Sequence, residues 1–436
     1  MNYVNIIGGG LAGSEAAYFI ARRGYQVRLY EMRPVKNTPV HQTGDLAELV
    51  CSNSLKSELE DTAQGLLKQE MRLLGSLLLS CADEVRVPAG SALAVDRKLF
   101  SEMVTERINS MANIEIIREE VTEIPAQGIA IIATGPLTSD ALAKKLQDLS
   151  GKENLYFYDA VAPSITFESI DLDKVFKASR YGKGTDDYYN CPMNREEYDL
   201  FYSKLVEADT FQGHSIDKQM VFDGCMPIEV MAGRGIDTMR YGPMRPVGLK
   251  APGSQEQHYA VVQLRQEDKD GQVFGLVGFQ TRLKWREQQE VFRLIPGLEK
   301  AEFVRYGVMH RNTYINSPLV LQPTLQFKTM PGLLLAGQIT GVEGYMESAA
   351  TGLIAGLNAL RILQQEEPVV PSRFTMIGAL LDFISNSESK SFQPINANFG
   401  ILPPLETRIK DKKARYKSYV GRSVREMRKF SELFPI

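Results

Sequence analysis

The chain has 436 residues, 44% hydrophobic and 24% charged, as in ordinary folded domains, and at roughly 150 residues per domain it suggests two or three. This composition excludes a disordered or fibrous chain, and a formal charge of −3 from 50 basic and 53 acidic residues excludes an overall polycation. No window approaches the ~18 consecutive apolar residues of a membrane span, and no cationic start leads into an apolar signal region. A cytoplasmic protein is therefore expected. Four cysteines (Cys51, Cys81, Cys191, Cys225) and 4 histidines are scattered, with no CxxC or HExxH spacing. Free thiols are expected and a metal site is not.

Along the chain, Tyr3 to Ile7 reads as a buried strand, Ser14 to Arg23 as a helix closed by Gly24, and Gln26 to Tyr30 as a second strand. Between the first two stands Gly8-Gly9-Gly10-Leu11-Ala12-Gly13, a G-x-G-x-x-G turn. In such a turn Gly8 makes the bend, Gly10 lets a pyrophosphate approach the backbone, and Gly13 lets helix and strand pack closely. Gly9 and Ala12 belong to the same turn, and the helix start offers free N–H groups and a positive dipole end to the anion. Glu31, 18 residues beyond Gly13, is placed to bond ribose hydroxyls, with Arg33 beside it. A glycine-rich turn in a non-binding α/β fold is the alternative. Strand, glycines, helix, strand and acid in register favour a dinucleotide.

Gly128 to Thr134 reads as a strand ending at Gly135, and Gly332 to Ala336 as another, ending at Gly337-Gln338. A helix rich in small residues follows from Gly341 through Gly344 to Leu360. The trio resembles the FAD-binding folds of the glutathione-reductase type, in which the late helix points its start at the flavin. The expected class is α/β, a discontinuous Rossmann-like FAD domain with an inserted α+β substrate domain. Residues 1–154 would form its first part, 155–300 the insert, and 301–436 the return strand and helix. Gln338 stands where the usual acid would be, and no second G-x-G-x-x-G supports a separate NADPH domain. Within the insert, alternation over His258 to Leu264 and Gln272 to Phe279 suggests antiparallel strands. From Arg408 to Lys429 ten basic residues face two acids, a net +8 that leaves −11 for the other 414 residues. A solvated helix face is the common meaning of a charge run, but this one is concentrated enough to suggest a polyanion.

Longer strings carry a resemblance. They are Cys51-Ser52-Asn53-Ser54-Leu55, Asn190-Cys191-Pro192-Met193-Asn194, Phe222 to Glu229, Met239 to Val247, His310-Arg311-Asn312-Thr313-Tyr314 and Asn396-Ala397-Asn398-Phe399-Gly400. In these the chain resembles the flavin- and folate-dependent tRNA (uracil-5-)-methyltransferases (TrmFO), short relatives of the GidA/MnmG tRNA-modifying flavoproteins. The resemblance implies transfer of a one-carbon unit from methylenetetrahydrofolate to C5 of the T-loop uridine, position 54, of tRNA. It also implies FAD and NADPH or NADH; a related group acts on ribosomal RNA.

The chemistry agrees with the residues. C5 of uracil is a poor nucleophile until a thiolate adds to C6, so such an enzyme needs a reactive cysteine. A lone cysteine is most often a small buried hydrophobe, the reading kept for Cys81. Cys191 is taken as structural support near the site. The family's nucleophile matches Cys225, with Glu229 and Arg234 near in sequence. Its second functional cysteine, which assists proton removal or guards the flavin, matches Cys51. Carbon at the formaldehyde level needs two electrons to become methyl, which reduced FAD can supply. Arg282, Lys284, Arg286, Lys412, Lys413, Arg415 and Lys417 are candidate RNA contacts, and Arg240, Arg245 and Trp285 are candidate phosphate or folate contacts. His310 and Arg311 are candidates for the cleft wall. A flavin oxidoreductase of a small metabolite, or a non-catalytic RNA-holding flavoprotein, are the other functions weighed.

Overall fold

Five apolar or alternating segments of the sequence meet in one sheet. The computed structural model describes residues 3–151, 155–211, 226–251, 253 and 257–434, and for 155–159, 309–311 and 391 the backbone alone. Strands Tyr3–Ile7, Gln26–Tyr30, Ile114–Ile117, Ile129–Ile132 and Met330–Leu335 run parallel. The short strand Gln326–Phe327 closes one edge antiparallel to Met330–Leu335. Tyr3–Ile7 lies between Gln26–Tyr30 and Ile129–Ile132, with Val4 opposite both Val27 and Ile129. Ile129–Ile132 is buried throughout, as a parallel strand covered on both faces must be.

The first helix spans Leu11–Ala21, starting three residues before Ser14 because Gly10, in extended conformation, is itself the cap. The late helix, Tyr345–Leu363, starts four residues after Gly341. A short 3-10 turn, Gln338–Thr340, ends at Gly341, and positive φ at Gly341 and Gly344 delays the helix. These two helices cross at backbone contact. A Cβ on Gly352 would stand 2.2 Å from the Ala12 carbonyl oxygen, and one on Gly356 would stand 2.9 Å from Ala16 Cα. Small residues along both helices are therefore a packing requirement.

A ribbon of Leu155–Ala160 and Met309–Tyr314 carries the chain out of this layer and back. Beyond it lies an antiparallel sheet in the order Phe176–Lys177, Tyr189–Met193, Ala260–Gln266, Val273–Leu276, Ser164–Thr166, Phe303–Arg305. The two alternating segments of the sequence pair as antiparallel neighbours, with Leu264 opposite Leu276. Cys191 sits at the centre of this sheet's core, where burial pushes its thiol far up, so it is part of that core rather than of a site. Cys81 is buried in the helix Leu77–Glu84, its thiol pushed up to about 12 by burial. A third sheet joins Ser54–Ser57, Ala92–Val95 and Arg86–Val87.

The basic run forms the helix Lys412–Ser431, capped by Asp411, whose carboxylate accepts the Ala414 N–H at 2.7 Å. Its inner side buries Ser423, Met427 and Phe430, and Tyr416 and Tyr419 lie on Phe399. No helix among the described residues is long and apolar enough to cross a membrane.

Two fully buried carboxyls cap helices from outside. Glu15 accepts the N–H groups of Leu77 and Leu78 at 3.1 Å each, together with the Ser76 hydroxyl. Glu70 accepts those of Met376 at 2.7 Å and Ile377 at 2.9 Å, together with the Ser423 hydroxyl. Burial pushes both to about 7 from an ordinary 4.5, against hydrogen bonds that favour the charge. Carboxyls raised on folding stabilise fully below about 4.5, and the contribution is lost as pH rises through about 7. The melting temperature of a Glu15→Gln/Glu70→Gln variant, relative to the parent, should therefore climb between about pH 5 and pH 8. A difference independent of pH would contradict this.

Candidate active site

The first cleft opens at the carboxyl ends of the parallel strands, where open α/β sheets bind ligands. Its empty space is about 1000 Å³, and Gly8, Gly10, Ala12, Glu31, Gly135 and Gly337 line it, together with Arg33 and Gln338. A Cβ on Gly13 would stand 1.8 Å from the Gly8 carbonyl oxygen, so only glycine lets helix and turn meet. A Cβ on Gly10 would meet nothing within 4 Å, so the backbone there is open to a ligand. No side chain caps the first helix, which leaves its first N–H groups for an anion. Glu31 lines the cleft with its Oε1 on Arg33 Nε at 2.9 Å and its Oε2 on the Gly9 N–H at 2.9 Å. Burial opposes its charge, but the Arg33 and Gly9 donors prevail and hold the carboxyl below its usual range. An open turn, an uncapped helix start and an ionised acid fit a dinucleotide such as FAD.

A second cleft of about 1160 Å³ adjoins it, and Val50, Pro136, Gln338 and Tyr345 line both. Cys51 lines the second cleft, and its loop is held from two sides. The Tyr345 hydroxyl, at the start of the late helix, accepts the N–H groups of Cys51 at 2.8 Å and Ser52 at 3.0 Å. From the antiparallel sheet, Arg265 donates to Ser52 Oγ at 2.7 Å and Asn53 Oδ1 at 2.9 Å. The Cys51 thiol is 3.9 Å from the Ala160 carbonyl oxygen. Burial keeps the Tyr345 phenol protonated well above its ordinary range. Beneath the loop, Glu267 accepts from Arg97 and from Ser164, each at 2.7 Å. Burial opposes its charge, but Arg97, Arg305 and Arg265 hold it below the usual range. Arg305, drawn down to about 10 by burial and by Arg97, donates to the Val50 carbonyl at 3.4 Å. At the opposite side, Lys68 donates to the Ser57 carbonyl at 2.8 Å and is drawn down to about 8 by burial.

The match of residues 3–367 is to the family described as Glucose inhibited division protein A (GIDA). The chain belongs to this family. Within it, a Syntrophomonas wolfei relative is 64% identical over 432 residues, covering 99% of both chains. One from Acetivibrio thermocellus is 55% identical over 430 residues, again covering 99% of both. Both are named methylenetetrahydrofolate–tRNA-(uracil-5-)-methyltransferase TrmFO. Aquifex aeolicus GidA in its form II crystal shares the fold, with a TM-score of 0.69 at 18% identity over 98% of this chain and 73% of that one.

Gly9, Gly13, Gly341 and Gly344 do not line the first cleft. The Gly9 N–H is taken by Glu31 and is not free for a cofactor. Gly13 supports the turn from behind, Gly341 packs on the Phe392 ring, and Gly344 borders the second cleft rather than the first. Arg33 is buried between Glu31 and Glu48, at 2.9 and 3.0 Å. Cys225 lies outside the described residues, and so do the side chains of His310 and Arg311. Met226 is buried, and the Ile228 N–H donates to the Gln280 carbonyl at 2.7 Å; Gln280 lines the second cleft. Glu229 is committed to Thr281 at 2.9 Å and to the Arg282 N–H at 3.2 Å.

Three of the basic candidates have their charge paired, Arg282 with Glu229, Lys284 with Asp209 and Arg286 with Glu290. Lys412, Lys413 and Lys417 are exposed, whereas Arg415 is half-buried and donates to the Ile409 carbonyl. Sequence reasoning missed Tyr345, Arg265 and Lys68. Of these only Tyr345 carries a local signal, as the residue after the glycine that opens the late helix.

Tyr345→Phe removes the acceptor for two backbone N–H groups. Stability should fall by about 1–3 kcal/mol, and Cys51 should react with iodoacetamide several-fold faster by mass analysis. An unchanged rate would contradict the clamp.

Proposed function

We propose that the protein transfers a one-carbon unit from methylenetetrahydrofolate to C5 of the T-loop uridine of tRNA, at position 54, giving 5-methyluridine. The observation that carries this is the 64% and 55% identity, over 99% of the chain, to two TrmFO methyltransferases. The two adjoining clefts support it, one fitted to a dinucleotide and the other lined by a cysteine. FAD held in the first cleft, and reloaded by NADPH or NADH, supplies the two electrons that take the carbon from the formaldehyde level to methyl.

The chain's own residues supply the rest. The Cys225 thiolate adds to C6 of the uracil and gives C5 enolate character. C5 bonds to the one-carbon unit, a base removes the C5 proton as the bond from that carbon to its carrier nitrogen breaks, and hydride added to the exposed methylene gives the methyl and expels the thiolate from C6. Proton removal, or protection of the reduced site, falls to Cys51. Tyr345, Arg265 and the arginines around Glu267 hold the Cys51 loop in place. The Ile228–Gln280 hydrogen bond supports the role of Cys225, since it ties the chain just after that residue to the rim of the second cleft.

RNA would arrive over the C-terminal helix. The helix Ala63–Leu73 lines the second cleft through Gln64, Leu67 and Lys68, and its Glu70 bonds Ser423 of the basic helix. Asn396 lines the cleft, and three residues on Phe399 carries Tyr416 and Tyr419. Exposed Lys412, Lys413 and Lys417 on that helix are the contacts such a route would use. The cytoplasm, where tRNA and folate meet, is the place proposed for it.

Incubation with a T-arm RNA, methylenetetrahydrofolate and NADPH should add one methyl to the T-loop uridine, read by mass analysis. Cys225→Ala should abolish the product with FAD retained, and Cys51→Ala should lower it at least ten-fold. No methyl from FAD-replete parent enzyme would overturn the assignment.

A further inference from the structure

Asn312 lies on the ribbon strand Met309–Tyr314, opposite Phe157. It is 1% exposed and lines the second cleft, yet neither its Oδ1 nor its Nδ2 has a hydrogen-bond partner. Among the described residues, no other asparagine has both side-chain atoms sealed from solvent and unpartnered. The remaining fully buried ones show what the fold ordinarily does. Asn190 donates to three carbonyls, and Asn358 donates to two and accepts the Val369 N–H at 2.8 Å. A buried amide with no partner opposes folding, and its persistence beside a cysteine-lined cleft points to a partner that arrives with the ligand.

We propose that the Asn312 amide is a specificity-determining group of this cleft, pairing with the lactam edge, an N–H beside a C=O, of a heterocyclic ring. This rests on the methyl-transfer reading above. A primary amide offers an acceptor and a donor side by side. Its complement is a donor and an acceptor on adjacent ring atoms. A phosphate or carboxylate supplies only acceptors, and a guanidinium only donors. Uracil carries the matching edge at N3–H and C4=O, and the pterin of the folate carries the same one. Glu347 Oε2, the third unpartnered atom in this cleft, offers an acceptor to a ligand donor.

Asn312→Asp replaces the donor with an acceptor and sets it against the ring carbonyl. Two arms identify the ring, both on holoenzyme with unchanged FAD content. In one, the Kd of a T-arm RNA hairpin is read by fluorescence anisotropy. In the other, the Kd of tetrahydrofolate is read from the absorption of the bound flavin without RNA. A rise of at least ten-fold confined to the RNA arm assigns uracil, and one confined to the folate arm assigns the pterin. Asn312→Leu, similar in size, should weaken the same ligand while keeping or raising the melting temperature, as expected for a group left unpaired in the free protein. Changes below two-fold in both arms, or a lowered melting temperature with both affinities intact, would overturn the proposal. A parent enzyme that binds both ligands but transfers no methyl would sink the functional reading and leave these arms still decisive for Asn312.

Discussion

The close crossing of the first and late helices governs the rest of the site. Gly352 and Gly356 face Ala12 and Ala16 at distances that leave no room for a Cβ. Neither helix start is capped by a side chain. Both orphaned sets of N–H groups, and both positive dipole ends, are held near one compartment. A larger residue at Gly352 would separate two starts that must act together.

That crossing also fixes where the thiol sits. Tyr345 is the first residue of the late helix, so its phenol reaches the Cys51 loop from a rigid element rather than a mobile one. The opposite side of the loop is gripped by Arg265 from the antiparallel sheet. The loop therefore joins the nucleotide layer to the inserted layer. Arg97, Arg265 and Arg305 gather around the single buried carboxylate of Glu267, which leaves positive charge in excess beneath the cleft. Such an excess suits a pocket meant for anionic RNA and a folate.

The nucleotide half was legible because its constraints are local. The glycine turn, the alternating βαβ pattern and the acid at the strand end each follow from backbone geometry over a few residues, and Gly13 has no alternative at 1.8 Å from Gly8. Helix starts were displaced by three or four residues because Gly10 caps by conformation and because Gly341 and Gly344, at φ of 84° and 122°, keep the chain out of the helix until Tyr345. The grip on Cys51 was not legible. Residues 265 and 345 lie more than two hundred positions from the loop, and the glycine before Tyr345 is the one local mark either carries. The basic residues were legible as charges but not as pairs. The partners of Arg282 and Lys284 come from other elements of the inserted layer, and only the folded chain reveals that these charges are already neutralised.

The dinucleotide cleft and the cysteine-lined cleft form a single compartment around their shared wall at Tyr345 and Gln338. Alkylating Cys51 in FAD-loaded Cys225→Ser protein tests it most directly, since Cys81 and Cys191 are buried. Complete alkylation should shift the visible absorption of the bound flavin, and tetrahydrofolate should slow the reaction. Complete alkylation with an unaltered flavin spectrum would show two separate pockets and contradict it.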